Sequence, residues 1–370
     1  MNILIAPDSF KGTLSAGEVC RVMADTLRLR YPGVAVTEIP IADGGEGTAQ
    51  AYLHIFGGER RTVCAHSPLG RMIEAAYALL PDGTAVIETA AASGITIEPV
   101  NDAMRASTFG TGELIKDALD RGCKKILLGL GGSATTDGGT GCARALGARF
   151  FDESGNDIPD GGVGLSALKR ADFSALDPRL QKITLTVLCD VTNPLFGKNG
   201  AAYVYARQKG ADDEQIRLLD RGLQTLAAVC APLLGENQAT FPGAGAAGGL
   251  GYCARAMLGG TLRRGIDCIL DAADFSALAQ RADLVITGEG KMDAQSLMGK
   301  APFGVALRSG SAPVIAVVGR LDAAMEDVRR AGIAAVFETD PDHRPFETIR
   351  LTAKEDLIRT VNKIKLEVFL

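Results

Sequence analysis

Five short apolar segments near the two ends of the chain alternate with helical patterns. They occupy residues 3–6, 34–41, 283–287, 314–318 and 334–338. Short apolar runs bounded by turn residues are typical of buried strands, and strands that alternate with helices are typical of a parallel sheet with helices on both faces. The alternation therefore predicts an α/β fold in which the two ends together form a flavodoxin-like, doubly wound parallel sheet.

The middle of the chain is less regular, with hairpin-like strand pairs and a glycine-rich centre. We therefore predict two domains. The flavodoxin-like domain is discontinuous and comprises residues 1–60 and 275–370, and a second α/β domain, residues 61–274, is inserted into it. Because glycine-rich loops with acidic residues come from both parts, the sequence predicts an active site in the cleft between the two domains.

Charge and composition exclude several classes of partner. The 370 residues carry a net charge of −5, without the basic surplus that holds nucleic acid. No apolar run has the length of a membrane span, and no signal peptide pattern stands at the start. The eight cysteines form no CxxC pair, and the three histidines are far apart, which disfavours a histidine-based zinc site. We expect a cytoplasmic protein without a nucleic-acid or membrane partner, and a homo-oligomer is compatible with this composition.

The most distinctive stretch, residues 124–145, reads KKILLGLGGSATTDGGTGCARA. An apolar strand pattern leads into a polar, glycine-rich loop and then into a helical pattern. Backbone N–H groups approach an anion closely where no Cβ intervenes, and a helix N-terminus adds partial positive charge. We therefore expect Gly131, Gly132 and Ser133 to bind phosphate, and Asp137 to hold Mg²⁺ carried by that phosphate. The alternative is a tight turn that serves only the fold.

Further candidate residues follow predicted strands, at the edge where open α/β sheets bind ligands. They are Asp8 and Lys11, Asp43, Asp190 and Asn193, and Glu289, Lys291 and Asp293. Carboxylates at such positions can ligate Mg²⁺ or accept the proton of a substrate hydroxyl. For Lys11 the alternative is a solvated loop, and for Asp43 it is a helix cap.

Two other positions have sequence features of interest. Arg71 is a candidate clamp for a substrate carboxylate, because a guanidinium can pair a carboxylate bidentately; a surface arginine is the alternative. Residues 242–251 contain a literal GxGxxG motif. A dinucleotide fingerprint must follow a strand, and no strand pattern precedes this motif, so we do not predict an NAD site there.

The inventory of backbone cradles, carboxylates and lysines, with few histidines, is typical of phosphoryl transfer. The lysines concerned are Lys11, Lys209, Lys291 and Lys300. No Walker A motif is present, since alanine follows Lys300, and the protein-kinase motifs are absent. These residues alone predict either a Mg²⁺-dependent phosphotransferase or a protein that binds a phosphate ligand.

Six segments, taken together, resemble the signature segments of the bacterial glycerate kinase type I family. They are APDSFKGTLSA (6–16), IADGGEGT (41–48), GLGGSATTDGGTG (129–141), CDVTNPLFGKNGA (189–201), PGAGAAGG (242–249) and VITGEGKMDAQSLMGK (285–300). The resemblance spans nearly the whole chain. It implies phosphorylation of D-glycerate by ATP with Mg²⁺, on the 2-hydroxyl to give 2-phosphoglycerate, and a flavodoxin-like domain with a second α/β domain. Thr136 and Ser296 depart from the family pattern, which has asparagine and threonine there, but both keep a small polar side chain.

The resemblance also implies roles for individual residues. Phosphate and nucleotide binding fall to Gly131, Gly132, Ser133, Gly245 and Glu289, and metal binding falls to Asp137 and Asp293. Lys11 and Lys291 would contact the transferred phosphate, while Asp190 and Asp43 compete for the role of the base that accepts the glycerate hydroxyl proton. Asp8, Arg71, Ser93 and Asn193 would bind the substrate.

Three alternatives stay open at this stage. Phosphorylation on the 3-hydroxyl would need only a small change in how glycerate is placed. The segment GLGGSA also resembles the phosphate loop of the galactokinase–homoserine kinase superfamily, although the strand KKILLGL directly before it and the absence of that superfamily's other motifs argue against that fold. A non-enzymatic sugar-acid-binding sensor would not need the acidic residues that this chain places in its loops.

Overall fold

The computed structural model describes residues 1–235, 238–293, 296 and 301–369. Lys300, one of the lysines named above, lies outside the described residues. The chain divides into two compact units. The first unit comprises Met1–Asp43, Gln50–Phe56 and Gly265–Leu370, and the second comprises Gly44–Ala49 and Gly57–Arg264.

Thirteen strands and thirteen α-helices are described along the chain. The strands are β1 (Asn2–Pro7), β2 (Ala35–Glu38), β3 (Glu59–His66), β4 (Met72–Leu79), β5 (Thr84–Glu88), β6 (Lys125–Gly129), β7 (Arg149–Phe151), β8 (Arg170–Asp172), β9 (Thr184–Leu188), β10 (Thr261–Arg263), β11 (Leu284–Met292), β12 (Val314–Leu321) and β13 (Ala335–Glu338). The helices are α1 (Ala16–Arg30), α2 (Thr48–Phe56), α3 (Ala90–Ser93), α4 (Phe109–Asp120), α5 (Thr140–Ala145), α6 (Ala201–Tyr205), α7 (Asp213–Leu234), α8 (Leu250–Tyr252), α9 (Gly265–Ala272), α10 (Phe275–Ala279), α11 (Ala301–Arg308), α12 (Met325–Arg330) and α13 (Phe346–Val361). None of the helices in the described ranges has the length and apolar character needed to cross a membrane.

The first unit contains a five-stranded parallel sheet with the order β13-β12-β11-β1-β2. When its strands are counted along the unit, this order is 2-1-3-4-5, the flavodoxin order. Ile3, Ile5 and Ile286 from the sheet pack with Val19 and Met23 of α1 in one apolar core. The predicted fold class, a flavodoxin-like α/β fold with a second α/β domain, is confirmed.

The β11 strand is longer than its apolar run. Predicted over residues 283–287, it continues to Met292, because β12 beside it also continues and pairs Lys291 with Arg320. Backbone pairing with a neighbour can extend a strand through polar residues that show no apolar pattern. Glu289 and Lys291 therefore lie on a strand, and the expectation that they belong to a loop is wrong.

The second unit contains a six-stranded mixed sheet with the order β10-β9-β6-β5-β4-β3. The strands β5, β6, β9 and β10 are parallel, whereas β3, β4 and β5 form an antiparallel meander. Leu128 of β6 and Val187 of β9 are fully buried in a large core that also contains Leu223 and Leu226 of α7. Because β6 is central, the glycine-rich loop that follows it begins at the middle of the sheet's carboxyl edge.

Candidate active site

The loop after β6 (residues 130–139) pairs with the chain after α3. Ile95 N–H donates to Gly132 O at 2.9 Å, and Ala134 N–H donates to Ser93 O at 2.9 Å. Gly94 and Ser133 thereby form an antiparallel bridge. The structure therefore brings Ser93 next to the predicted phosphate-binding glycines. Its hydroxyl, however, is fully buried and lies 2.8 Å from the Thr111 hydroxyl.

Two of the predicted glycine loops contact each other directly within the second unit. Gly131 N–H donates to Gly44 O at 3.0 Å. A Cβ on Gly131 would lie 2.5 Å from Gly45 Cα, and a Cβ on Gly129 would lie 2.4 Å from Gly44 O. Side chains at these positions would collide with the backbone. Glycine is therefore required here by the close approach of two loops that are far apart in the sequence.

Asp137 is fully buried, and its carboxylate already accepts four hydrogen bonds. Asp137 Oδ2 accepts from Thr108 N–H and Thr108 Oγ1, both at 2.8 Å, and from Gly141 N–H at 3.2 Å, while Asp137 Oδ1 accepts from Gly139 N–H at 3.0 Å. Burial raises the pKa of Asp137, and these hydrogen bonds act in the opposite direction. A carboxylate that satisfies the N-terminus of α5 in this way acts as an internal cap.

This geometry bears on two expectations. The helix N-terminus is expected to add partial positive charge to the phosphate site, and here the N–H groups of Gly139 and Gly141 donate to the Asp137 carboxylate. The Asp137 carboxylate is also fully inaccessible to solvent, so a metal ion would have to displace its hydrogen bonds to reach it. The role of Asp137 as a metal ligand therefore stays a prediction. The sequence suggested that role because an aspartate in a polar loop does not reveal its own burial.

Two backbone donors remain for a phosphate in this loop. The N–H groups of Gly132 and Ser133 donate to no acceptor in the part of the chain that the structure describes. Gly132 is exposed, with a φ of 75° in the left-handed region. Successive N–H groups that include a left-handed residue form a concave anion-binding nest. We call Gly132 and Ser133 the N–H pair, and it is the strongest candidate for phosphate contact in the second unit.

Lys209 lies behind the N–H pair. Its side chain is buried, and its Nζ donates to Ser133 Oγ at 3.1 Å and to Thr135 O at 2.6 Å. Burial lowers the pKa of Lys209 to about 7, while the Asp137 carboxylate acts in the opposite direction. Sequence reasoning counted Lys209 among the lysines but assigned it no place. The available signal was weak: a lysine in a short turn between Ala206 and Ala211, both small and buried.

The other predicted substrate residues of the second unit have partners within the protein. The Arg71 guanidinium lies 3.6 Å from Glu98 Oε2 and is largely exposed. Asn193 Nδ2 donates to Asn199 O at 2.8 Å, and its Oδ1 accepts from Tyr205 Oη at 2.7 Å. Their roles in substrate binding stay predictions.

Asp190 and Gly245 complete the predicted positions in the second unit. Asp190 lies two residues beyond the end of β9 at Leu188, and its Oδ1 lies 3.9 Å from Arg264 Nε. Gly245 is buried and donates its N–H to Asn193 O at 2.9 Å. The described residues before Gly245, 238–244, form turns and bends, consistent with the rejection of a dinucleotide fingerprint there.

In the first unit, the structure gathers predicted residues at the carboxyl ends of β1 and β11. Asp8 N–H donates to Gly288 O at 2.8 Å, and Ser9 N–H donates to Asp8 Oδ1 at 2.6 Å. A Cβ on Gly290 would lie 3.1 Å from Lys11 N. The loop that carries Asp8 and Lys11 therefore lies against the strand that carries Glu289 and Lys291. Lys11 itself is exposed, whereas Glu289 is buried.

The remaining first-unit candidates lie at the same edge of the sheet. Lys291 Nζ lies 2.9 Å from Asp322 Oδ2, and hydrogen bonds from Lys291 and Arg320 hold the pKa of Asp322 below its usual value. Asp293 Oδ1 accepts from Ser296 N–H at 3.2 Å. Asp43 is exposed beyond the end of β2. Sequence reasoning missed Asp322 because it stood beyond an apolar run that gave no sign of the strand's full length.

No group of three or more histidine, cysteine, aspartate or glutamate side chains that could hold a metal occurs among the described residues. Mg²⁺ in phosphoryl-transfer sites commonly takes only one or two carboxylates and completes its shell with water and substrate phosphate. The described carboxylates are therefore compatible with Mg²⁺ that arrives with a nucleotide.

Comparison with known sequences identifies the family of this chain. The model of the glycerate kinase family matches residues 3–368. The chain belongs to the glycerate kinase family. It is therefore a kinase, and the resemblance seen in the six sequence segments is confirmed.

Curated relatives and a solved structure support this membership along the whole chain. The glycerate kinase of Bacillus subtilis is 43% identical over 369 residues, which cover 98% of this chain and 97% of that protein. The glycerate 2-kinase of Escherichia coli is 43% identical over 342 residues, which cover 91% of this chain and 90% of that protein. A crystal structure of a protein assigned as glycerate kinase 2 from Salmonella typhimurium LT2 covers 100% of this chain and 98% of its own, with a TM-score of 0.86 and 41% identity.

Proposed function

We propose that the chain transfers the γ-phosphoryl group of ATP to D-glycerate, with Mg²⁺, and that the product is 2-phosphoglycerate. Membership of the glycerate kinase family supports glycerate as the substrate, and the relative called glycerate 2-kinase supports the 2-hydroxyl. The structural observation that carries the proposal is the N–H pair, two free backbone donors with a buried lysine behind them. Such preorganised donors stabilise the charge that develops on a transferring phosphoryl group.

We assign Mg²⁺ to Asp293 among the two predicted ligands. Asp293 follows β11 directly and is partly exposed, whereas Asp137 is buried and its carboxylate already accepts hydrogen bonds from the backbone at the start of α5. When bound, Mg²⁺ would neutralise part of the charge of the nucleotide phosphates. The exposed Lys11 and the strand-borne Lys291 are the proposed cationic contacts to phosphate oxygens in the first unit.

A carboxylate is the proposed base that accepts the glycerate hydroxyl proton. Asp190 and Asp43 are the two candidates for this role. Asp190 has the Arg264 guanidinium 3.9 Å from its carboxylate. Asp43 is exposed. Arg71, also exposed, stays the proposed partner of the substrate carboxylate.

We also propose that the protein works in a reducing compartment such as the cytoplasm. All eight cysteines are free thiols, and most of them are buried within apolar surroundings. Buried unpaired thiols are typical of proteins kept reduced.

The test is a product assay with the purified protein, D-glycerate, ATP and Mg²⁺, read by ³¹P NMR. Appearance of 2-phosphoglycerate, abolished when Mg²⁺ is chelated, would support the whole proposal. Appearance of 3-phosphoglycerate would keep the kinase and move the acceptor to the 3-hydroxyl. Absence of any glycerate-dependent product from well-folded protein would contradict glycerate as the substrate, and other small hydroxy acids would then be assayed in its place.

A further inference from the structure

Lys209 is the most unusual charged group that the proposed mechanism has not used. Only 2% of the residue is exposed, so its ammonium does not reach a ligand in solvent directly. It touches the phosphate-binding loop through Ser133 Oγ, at 3.1 Å, and through Thr135 O, at 2.6 Å. Ser133 belongs to the N–H pair. The hydrogen bond to the Ser133 hydroxyl is therefore the direct contact between Lys209 and the N–H pair.

The protonation state of Lys209 decides the direction of that hydroxyl. A charged ammonium has three N–H donors and no acceptor. Ser133 Oγ must then accept from Lys209, and the hydroxyl hydrogen of Ser133 has no acceptor in the described part of the chain. That hydrogen is left to be donated elsewhere. A neutral amine would instead offer a lone pair, and Ser133 would turn its hydrogen towards Lys209.

The charges around Lys209 do not fix it as either the charged ammonium or the neutral amine. The nearest opposite charge is Asp137, which belongs to the same loop as Ser133, but the carboxylate of Asp137 already accepts four hydrogen bonds. Arg207, on the same turn as Lys209, pairs with Asp213 at the surface. The segment packed on Thr135, residues 246–249, has only alanine and glycine side chains. Burial therefore dominates and brings the pKa of Lys209 to about 7.

We propose that Lys209 is a positioning residue, which directs the Ser133 hydroxyl towards a phosphate bound at the N–H pair, and that phosphate binding is coupled to protonation of Lys209. This inference rests on the proposed function and names a further group at the same site. A phosphate dianion beside the N–H pair favours the charged lysine, so above neutral pH the protein takes up a proton as the phosphate binds. The phosphate can belong to the nucleotide or to the phosphorylated acid, because both present the same oxygens.

The experiment measures proton uptake on binding by isothermal titration calorimetry in buffers of different ionisation enthalpy. ADP with Mg²⁺ and 2-phosphoglycerate are titrated separately at pH 6 and pH 8. Because Lys209 has a pKa of about 7 in the free protein, we expect an uptake near zero at pH 6 and about 0.5–1 proton at pH 8 for the ligand whose phosphate occupies this position. The titration that shows proton uptake tells whether the phosphate at the N–H pair belongs to the nucleotide or to the phosphorylated acid.

Lys209→Arg and Lys209→Met provide the matched variants. Arginine keeps its charge at all relevant pH values, so subtracting its signal removes the protons of the ligand and the buffer. Methionine keeps the length without the donor. It should abolish the proton uptake and weaken phosphate binding by about tenfold or more. In kinetic assays this weakening should appear as a higher KM, and KM should no longer depend on pH above pH 7.

The outcomes separate this inference from the proposed function. Glycerate phosphorylation without any difference in proton uptake between the native protein and Lys209→Arg, for both ligands, overturns the inference and leaves the function standing. Proton uptake with ADP but no glycerate-dependent product supports the inference and contradicts only the substrate. A purely structural role would lower the stability of Lys209→Met while the native protein took up no proton, which also overturns the inference.

Discussion

Two buried charged side chains, Asp137 and Lys209, hold the loop after β6 in place at the scale of single residues. A buried charge costs free energy unless hydrogen bonds or an opposite charge compensate it. Asp137 is compensated by four hydrogen bonds, whereas Lys209 makes two and feels the field of Asp137. The two residues therefore differ in what their loss should do.

Asp137→Asn should destabilise the protein. The amide keeps the shape of the carboxylate, but its NH₂ group faces the Gly139 N–H that Asp137 Oδ1 now accepts. A buried N–H without an acceptor costs about 1–3 kcal/mol, and a midpoint shift in thermal or urea unfolding would measure it. Asp25→Asn, on the exposed face of α1 in a weak ion pair, is the control and should change little. Unchanged stability, together with a weaker affinity for Mg²⁺ in the activity assay, would support Asp137 as a metal ligand.

Lys209 makes stability depend on pH in a definite direction. Its folded-state pKa of about 7 lies below that of an unfolded lysine, so between pH 7 and the unfolded value near 10.5 the unfolded chain binds more protons. The destabilisation from burying the ammonium is therefore present in full below pH 7 and is relieved as pH rises. Relative to Lys209→Met, the free energy of unfolding should increase from pH 7 to pH 9 by at most about 1.4 kcal/mol per pH unit. A flat difference over this range would show that Lys209 does not titrate there.

At the scale of elements, the site in the second unit depends on contact between two glycine loops. The segment Gly44–Ala49 packs on the residues that end β6 and begin its loop, close enough to exclude side chains. Glu88, at the end of β5, adds a hydrogen bond from its carboxylate to Ala49 N–H at 2.7 Å. Elements that are distant in sequence therefore determine where the N–H pair lies.

Gly131→Ala should disturb this contact. Its Cβ would lie 2.5 Å from Gly45 Cα, so the backbone of one loop must move. Overpacking of this kind costs about 1–3 kcal/mol, and the neighbouring N–H pair should lose alignment. We expect a lower thermal midpoint together with a reduced kcat/KM. The control is Gly17→Ala in α1, where the Cβ would lie 3.5 Å from His54 Nδ1 in ordinary contact and helix propensity favours alanine by about 1 kcal/mol. Equal behaviour of the two variants would contradict the packing argument.

At the scale of the whole molecule, the first unit followed closely from its sequence, and the site did not. Five apolar runs gave five strands. The interior strands β1, β11 and β12 are mostly buried, and burial on both faces of a parallel sheet demands continuous apolar residues, whereas the edge strands β2 and β13 are only partly buried. Strand–helix alternation restricts the order. The capping box of Ser15 and Glu18 likewise starts α1 where its residues indicated. Local patterns of this kind carry their own physical cause.

The burial of Asp137 and Lys209 has no such local cause. It depends on which distant segments cover the loop after β6, and a single sequence does not record those contacts. The same reason hides Asp322, whose pairing with Lys291 exists only because β11 and β12 extend together. Kinase activity was predictable from the order of the sequence motifs, whereas the roles of the individual carboxylates were not.

The base of the reaction can be found by comparing carboxylates of the two units. Asp190→Asn should lower kcat by about 10²–10⁴ with little change in KM, because an amide cannot accept the hydroxyl proton. Asp43→Asn, made in parallel, should then have the smaller effect. Circular dichroism and the thermal midpoint would verify that both variants fold. Near-normal turnover of Asp190→Asn, with a large loss in Asp43→Asn, would transfer the role to Asp43.

The pairing of β1 with β11 has a consequence for how the chain is made. Ile3 pairs with Leu284, so β1 must wait for a partner strand that is translated much later. Until then the second unit can complete its own sheet. The edge of β1 that pairs with β11 in the folded protein has no partner during this time. Exposed edges of this kind invite pairing with other chains. During synthesis, one edge of β1 therefore stays unpaired until β11 has been made.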